Sequence, residues 1–150
     1  LVVRVHPELL AQQKLPPALV DEDVWKRRFQ DIRNVEKYWT RNGIIIRKFF
    51  LHVSKKEQKR RFLERLENPE KNWKFSAADA QERGFWKDYM EAYEDAIRKC
   101  STAHAPWYVV PADHKWFRNW VISDTIVRTM QRLGMRFPKP IEGIEKYKVE

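Results

Sequence analysis

At 150 residues the chain has room for one domain with a real core. A hydrophobic content of 43% with seven tryptophans excludes intrinsic disorder, and a single cysteine excludes a disulfide framework and fits a reducing compartment. A formal charge of +9 points to polyanions: nucleic acid, anionic membrane or phosphate-rich small molecules.

The opening run LVVRV (1–5) is continuous and β-branched, as buried parallel strands are. It has no basic stretch before it, which argues against a signal peptide. Beginning inside an expected strand predicts further sequence upstream. Pro7, Pro16 and Pro17 mark a loop. From Asp21 to Asn42 the residues Trp25, Phe29, Ile32, Val35 and Trp39 recur at helical spacing, and Asn42-Gly43 stops the helix. IIIRKFFLHV (44–53) reads as a second strand.

Ser54 with Glu57 three residues on is a capping box, so a helix begins there and ends at Asn68-Pro69. NPEKNWKFS after it reads as non-helical. Ser76 and Asp79 make a second capping pair, opening one long helix to about Lys99 with Trp86, Tyr89, Met90, Tyr93 and Ile97 on one side. WYVVPA (107–112) is a third strand. Asp113 is placed to cap a last helix that runs to about Leu133 and carries Phe117, Trp120, Val121, Ile126, Val127 and Met130. Residues 134–150 form a tail with two prolines and two glycines. Strands separated by long helices imply parallel βαβ units in an α/β sandwich. No apolar run approaches the ~20 residues of a membrane span.

The conspicuous feature is residues 55–74, with eight basic and four acidic side chains. In helical projection Phe62, Leu63 and Leu66 form the buried side, with Glu57, Arg61 and Glu64 pointing away. One reading is a solvated helix laced with salt bridges. The other is a mobile basic hairpin that closes over phosphates, for which the planar fork of arginine is suited. The excess of bases, and Lys71, Trp73 and Lys74 outside the regular helix, favour the second. His6, His52, His104 and His114 show no metal-ligand spacing, and Cys100 reads as a packed thiol. Trp86, Tyr89 and Tyr93 read as core rather than as a base-stacking platform; Trp116 is a weak candidate to flank a base.

"LHVSKKEQKRRFLERLENPEKNWKFSAAD", followed by "TAHAPWYVVPADHKWFR", closely resembles the family-2 polyphosphate kinases, over about Leu1 to Leu133. The resemblance implies an α/β, P-loop-kinase-like (thymidylate-kinase-like) three-layer sandwich with a parallel sheet. It is present here as its C-terminal part (1–133), with a helical basic lid at about 54–79. It implies Mg²⁺-dependent phosphotransfer between inorganic polyphosphate and a nucleoside mono- or diphosphate (AMP, or ADP/ATP), in a cytoplasmic enzyme that is a homo-oligomer. Arg61 and Arg65 match the lid arginines as catalytic residues. Lys71 and Lys74 match the lid lysines that guide the polyanion, and Trp73 is expected to anchor the lid loop by packing. Lys115 and Arg118 are second-tier phosphate ligands, with Lys56 and Arg60 behind them. The sequence has no Gly-rich phosphate loop and no Asp-rich metal segment. The Mg²⁺ ligands are therefore expected outside this chain, which alone is expected to be inactive. The alternative is a non-catalytic basic module for nucleic acid or another polyanion; the absence of a helix-turn-helix, RNA-recognition or zinc-finger signature counts against it.

Overall fold

The computed structural model describes residues 1–149. Its centre is a two-stranded parallel sheet, β1 (Lys48–His52) beside β2 (Trp107–Pro111), in register from Lys48 opposite Trp107 to His52 opposite Pro111. The helices are α1 (Val2–Val5), α2 (Val24–Arg41), α3 (Lys55–Glu67), α4 (Ala77–Glu82), α5 (Trp86–Cys100) and α6 (Lys115–Arg132), with short 3₁₀ segments between several of them. The β1–α3…α5–β2 crossover is the βαβ unit expected from the sequence, with the basic segment inserted in it. No helix among the described residues is long and apolar enough to cross a membrane.

Two expected strands change. LVVRV forms α1, a single helical turn, because a short apolar run has no intrinsic preference without a strand to pair with. Arg4 and His6 at its end reach Asp95 and Glu82. The strand expected over 44–53 narrows to β1, since Ile44–Ile46 lie before the level at which β2 begins and have no ladder partner. Among the described residues two strands form, not three.

The helices also carry corrections. The single helix expected from Ser76 to Lys99 is interrupted by a 3₁₀ turn at Arg83–Phe85, where Gly84 weakens helix continuity. NPEKNWK is not irregular but a 3₁₀ helix, Pro69–Lys74, with Pro69 at its first turn. Asp113 does not cap α6, whose N-cap is His114 without a side-chain bond; its carboxylate instead accepts from the Ser54 N–H at 2.7 Å. The capping box at Ser54 forms as expected, with Glu57 N–H bonded to Ser54 Oγ at 3.1 Å. Gly43 sits at φ +86° after the C-cap of α2, a left-handed position natural to glycine.

The core lies where α2 and α5 meet the sheet, around Phe29, Ala92, Cys100, Ala105, Val110 and Ala112. Cys100 is packed, and burial pushes its thiol pKa up. One buried charge accompanies the apolar side chains. Glu36 Oε1 accepts from Lys48 Nζ at 2.6 Å, and the same ammonium donates to the Cys100 carbonyl at 2.7 Å. The helical stripe on α2 is therefore only partly internal: Phe29 is buried, whereas Ile32, Val35 and Trp39 are exposed. On α5, Tyr89, Met90, Tyr93 and Ile97 are half-buried, and Tyr93 packs on Phe50 of β1 at 4.4 Å between ring centroids.

Candidate functional site

Both strands point their C-terminal ends toward the basic segment, the side of an open α/β sheet where ligands collect. Ser54 follows β1 directly and starts α3, while Asp113 follows β2 and holds the Ser54 N–H. This backbone bond is the largest cause of the depressed pKa of Asp113. The strand ends thus fix the root of α3.

Arg61 makes a second tie. Its Nε donates to Glu57 Oε1 at 2.8 Å, and its Nη2 to the carbonyls of Ala112 and Asp113 at 2.8 and 3.1 Å. The helical projection that turned Glu57 and Arg61 toward solvent is corrected here: both are half-buried between α3 and the end of β2. Projection sees one helix, and the neighbouring strand end covers that side. Glu57 also accepts two bonds from Arg60, at 2.7 Å each. Arg60 first and Arg61 second hold its pKa down at about 2.

The outer part of the segment doubles back. Asn68 caps the 3₁₀ turn, and the Asn72 amide donates to the carbonyls of Arg65 and Leu66, closing helix and turn into a hairpin. Lys71 pairs with Glu64, which lowers the pKa of that carboxyl; weaker contributions come from Arg60 and Lys115. Lys115, at the start of α6, therefore lies within electrostatic reach of the hairpin. Arg118 does not join it; its guanidinium bonds Asn119. Lys56 is exposed on the outer face of α3. Trp73 does not pack as expected. It is 78% exposed, with Lys74 Nζ 4.8 Å from its ring centroid. Phe75 takes the anchoring role, edge-on to Phe62 at 6.5 Å.

A cavity of about 500 Å³ opens between α3, β1 and α4–α5. Arg61, Arg65 and Arg83 line it, over Phe62, Trp86 and Tyr93. The sequence pattern places Arg83 inside one long helix, and the adjacent Gly84 is its only sign of the break that brings Arg83 to this cavity. Glu82 beside it accepts from His6 Nε2 at 2.9 Å and from Tyr89 Oη at 2.7 Å. The His6 bond is the main cause of the lowered Glu82 pKa and of the raised His6 pKa. Burial first, then Glu82, pushes Tyr89 up to about 12. Among the described residues no three His, Cys, Asp or Glu side chains converge.

The match to a solved structure puts the chain among P-loop-kinase-like α/β folds. The chain superimposes on the crystal structure of polyphosphate kinase 2 from Arthrobacter aurescens TC1 with a TM-score of 0.85 at 36% identity, over 97% of this chain and 48% of that one. The family model described as polyphosphate kinase 2 matches residues 17–138. Relatives include an AMP/ADP-polyphosphate phosphotransferase of Meiothermus ruber, 48% identical over 88% of this chain and 49% of that protein. An ADP-polyphosphate phosphotransferase of Rhodopseudomonas palustris is 47% identical over 93% of this chain and 48% of that protein. The chain belongs to the polyphosphate kinase 2 family. It spans about half the length of these two curated relatives.

Proposed function

We propose that this chain supplies the lid and the C-terminal half of the site for phosphotransfer between inorganic polyphosphate and a nucleoside mono- or diphosphate. The observation that carries the reading is the hairpin of residues 54–79, rooted at the C-terminal ends of both strands and turning arginines toward a cavity there. Residues 1–133 form one part of a single kinase domain, with 134–150 as its tail.

In this reading Arg61 and Arg65 neutralise phosphate oxygens as charge moves from one bridging oxygen to the next; such transfer needs positioning and electrostatic stabilisation more than covalent help. Arg61 keeps its Nη1 for that purpose, while its Nε bonds Glu57 within α3 and its Nη2 ties the lid to the end of β2. Lys71, Lys74 and Lys115 guide the polyanion toward them, and Lys56, Arg60 and Arg118 add to the field. Mg²⁺ would screen the phosphates from ligands outside this chain, so the chain alone transfers no phosphate. The whole enzyme works in the cytoplasm as a homo-oligomer.

The test is calorimetric titration of the chain with polyphosphate of defined length at two salt concentrations, with a short RNA as competitor. Salt-sensitive polyphosphate binding that RNA does not displace is the expected result. Tighter RNA binding would replace this reading with that of a nucleic-acid module.

A further inference from the structure

Arg65 and Arg83 stand apart from the other arginines of the hairpin region. Arg60 and Arg61 are each bonded to Glu57. Among the described residues neither Arg65 nor Arg83 has a carboxylate within salt-bridge distance. Both are instead held over one ring: their guanidinium carbons lie 5.4 and 6.0 Å from the centroid of Phe62. A ring face restrains a guanidinium without neutralising it. Phe62 is itself fixed edge-on by Phe75.

Arg83 is positioned further by two bonds to α3, both from Nη1: to Gln58 Oε1 at 2.6 Å and to the Lys55 carbonyl at 3.2 Å. Its Nη2 and Nε have no protein acceptor among the described residues. Those two nitrogens are the fork that binds two phosphate oxygens at once. Both acceptors on α3 are uncharged, so the full positive charge remains. The neighbouring acid does not cancel it either, since Glu82 is engaged by His6 and Tyr89. Arg65 and Arg83 line the same cavity, one from the lid helix and one from the turn between α4 and α5.

We propose that Arg83 is a phosphate-binding residue that forms a two-guanidinium clamp with Arg65 across Phe62. It grips one segment of a polyphosphate chain within that cavity. The inference rests on the polyphosphate reading above and adds a contact from outside the hairpin. By bonding α3 while binding phosphate, Arg83 also couples substrate occupancy to the position of the lid.

The experiment is calorimetric titration of the full chain with inorganic tripolyphosphate at several salt concentrations, for wild type, R83Q, R65Q, R83K and the control K26Q on the exposed face of α2. R83Q and R65Q should each weaken binding about tenfold and lower the slope of log affinity against log salt by about one. R83K should keep the slope and lose part of the affinity, because it retains the charge but not the fork. K26Q should change neither quantity beyond twofold. A variant-free measurement runs beside these: in NMR spectra of the wild type, tripolyphosphate should shift the Nε–H signals of Arg65 and Arg83. Unchanged affinity and slope in R83Q, or an unmoved Arg83 signal under saturating ligand, overturns the clamp alone if the wild type binds. No binding by the wild type overturns both the clamp and the substrate reading. If R83Q does not fold, R83K and the NMR signal decide.

Discussion

The hairpin and the α2–α5 end of the molecule are built from similar residues and held by opposite means. At the α2–α5 end a single ion pair is buried with the apolar core: Lys48 is 14% exposed and Glu36 8%, beside Cys100 and the Trp107 ring. In the hairpin many ions meet near water, no residue of α3 is buried, and its apolar residues Leu63 and Leu66 are exposed. One buried pair is a structural commitment, because neither charge can be left alone without a large desolvation cost. A set of exposed pairs adds little stability individually and can be exchanged for pairs to a substrate. The contrast separates a frame held by one buried pair from a charge-bearing arm whose pairs meet near water.

The sharpest way to break that comparison is Glu36→Ala. It strands the buried Lys48 ammonium and should cost about 3–5 kcal/mol in urea denaturation, a large share of a domain's stability. A cost below about 1 kcal/mol would place the Glu36–Lys48 pair in the same class as the hairpin pairs.

Next in size is Arg61→Ala. It removes the bonds to the carbonyls of Ala112 and Asp113 and should raise amide exchange in α3 several-fold while leaving exchange in α2 and α5 unchanged. A uniform rise across the chain would show that hairpin and frame open as one unit.

Acid should act on the hairpin first. The folded-state pKa of Glu57 is depressed from its ordinary 4.5 to about 2. Its stabilisation is thus fully present above 4.5 and is lost as pH falls through about 2. Exchange in α3, corrected for intrinsic rate, should rise over that window. His6 has the opposite sign. Its pKa lies above 6.5, so the docking of α1 through Glu82 is complete below 6.5 and weakens as pH rises through the raised value. NMR titration should give a His6 pKa above 6.5 in the wild type and one moved back toward 6.5 in Glu82→Gln. The smallest effect belongs to the pair Arg98–Glu94 on the outer face of α5. Arg98→Ala should leave the melting temperature unchanged within error.

Much of this was legible in the residues, because it depends on neighbours in sequence. The capping serine at 54 accepts from the amide of Glu57, the pair at Ser76 and Asp79 forms likewise, and Asn42-Gly43 ends α2, since caps and turns are made from side chains a few positions apart. The motif EQKRRFLER together with PEKNWKFSAAD carries the family relationship on its own. What failed were assignments needing a partner from elsewhere: LVVRV has the composition of a strand and folds as a helical turn, and Trp73 has the composition of an anchor and stands in solvent.

By itself, then, the sequence determined the helices that became α2, α3 and α6, the basic segment between two parallel strands and the polyphosphate kinase 2 kinship, because each rests on local spacing and residue chemistry. Only the tertiary structure decided which arginines are already paired and which are open. It bonded Arg61 to carbonyls 51 and 52 positions away and brought Arg83 against Lys55 and Gln58. Whether a guanidinium is neutralised depends on what lies beside it in space, and that is set by packing between elements distant in the chain.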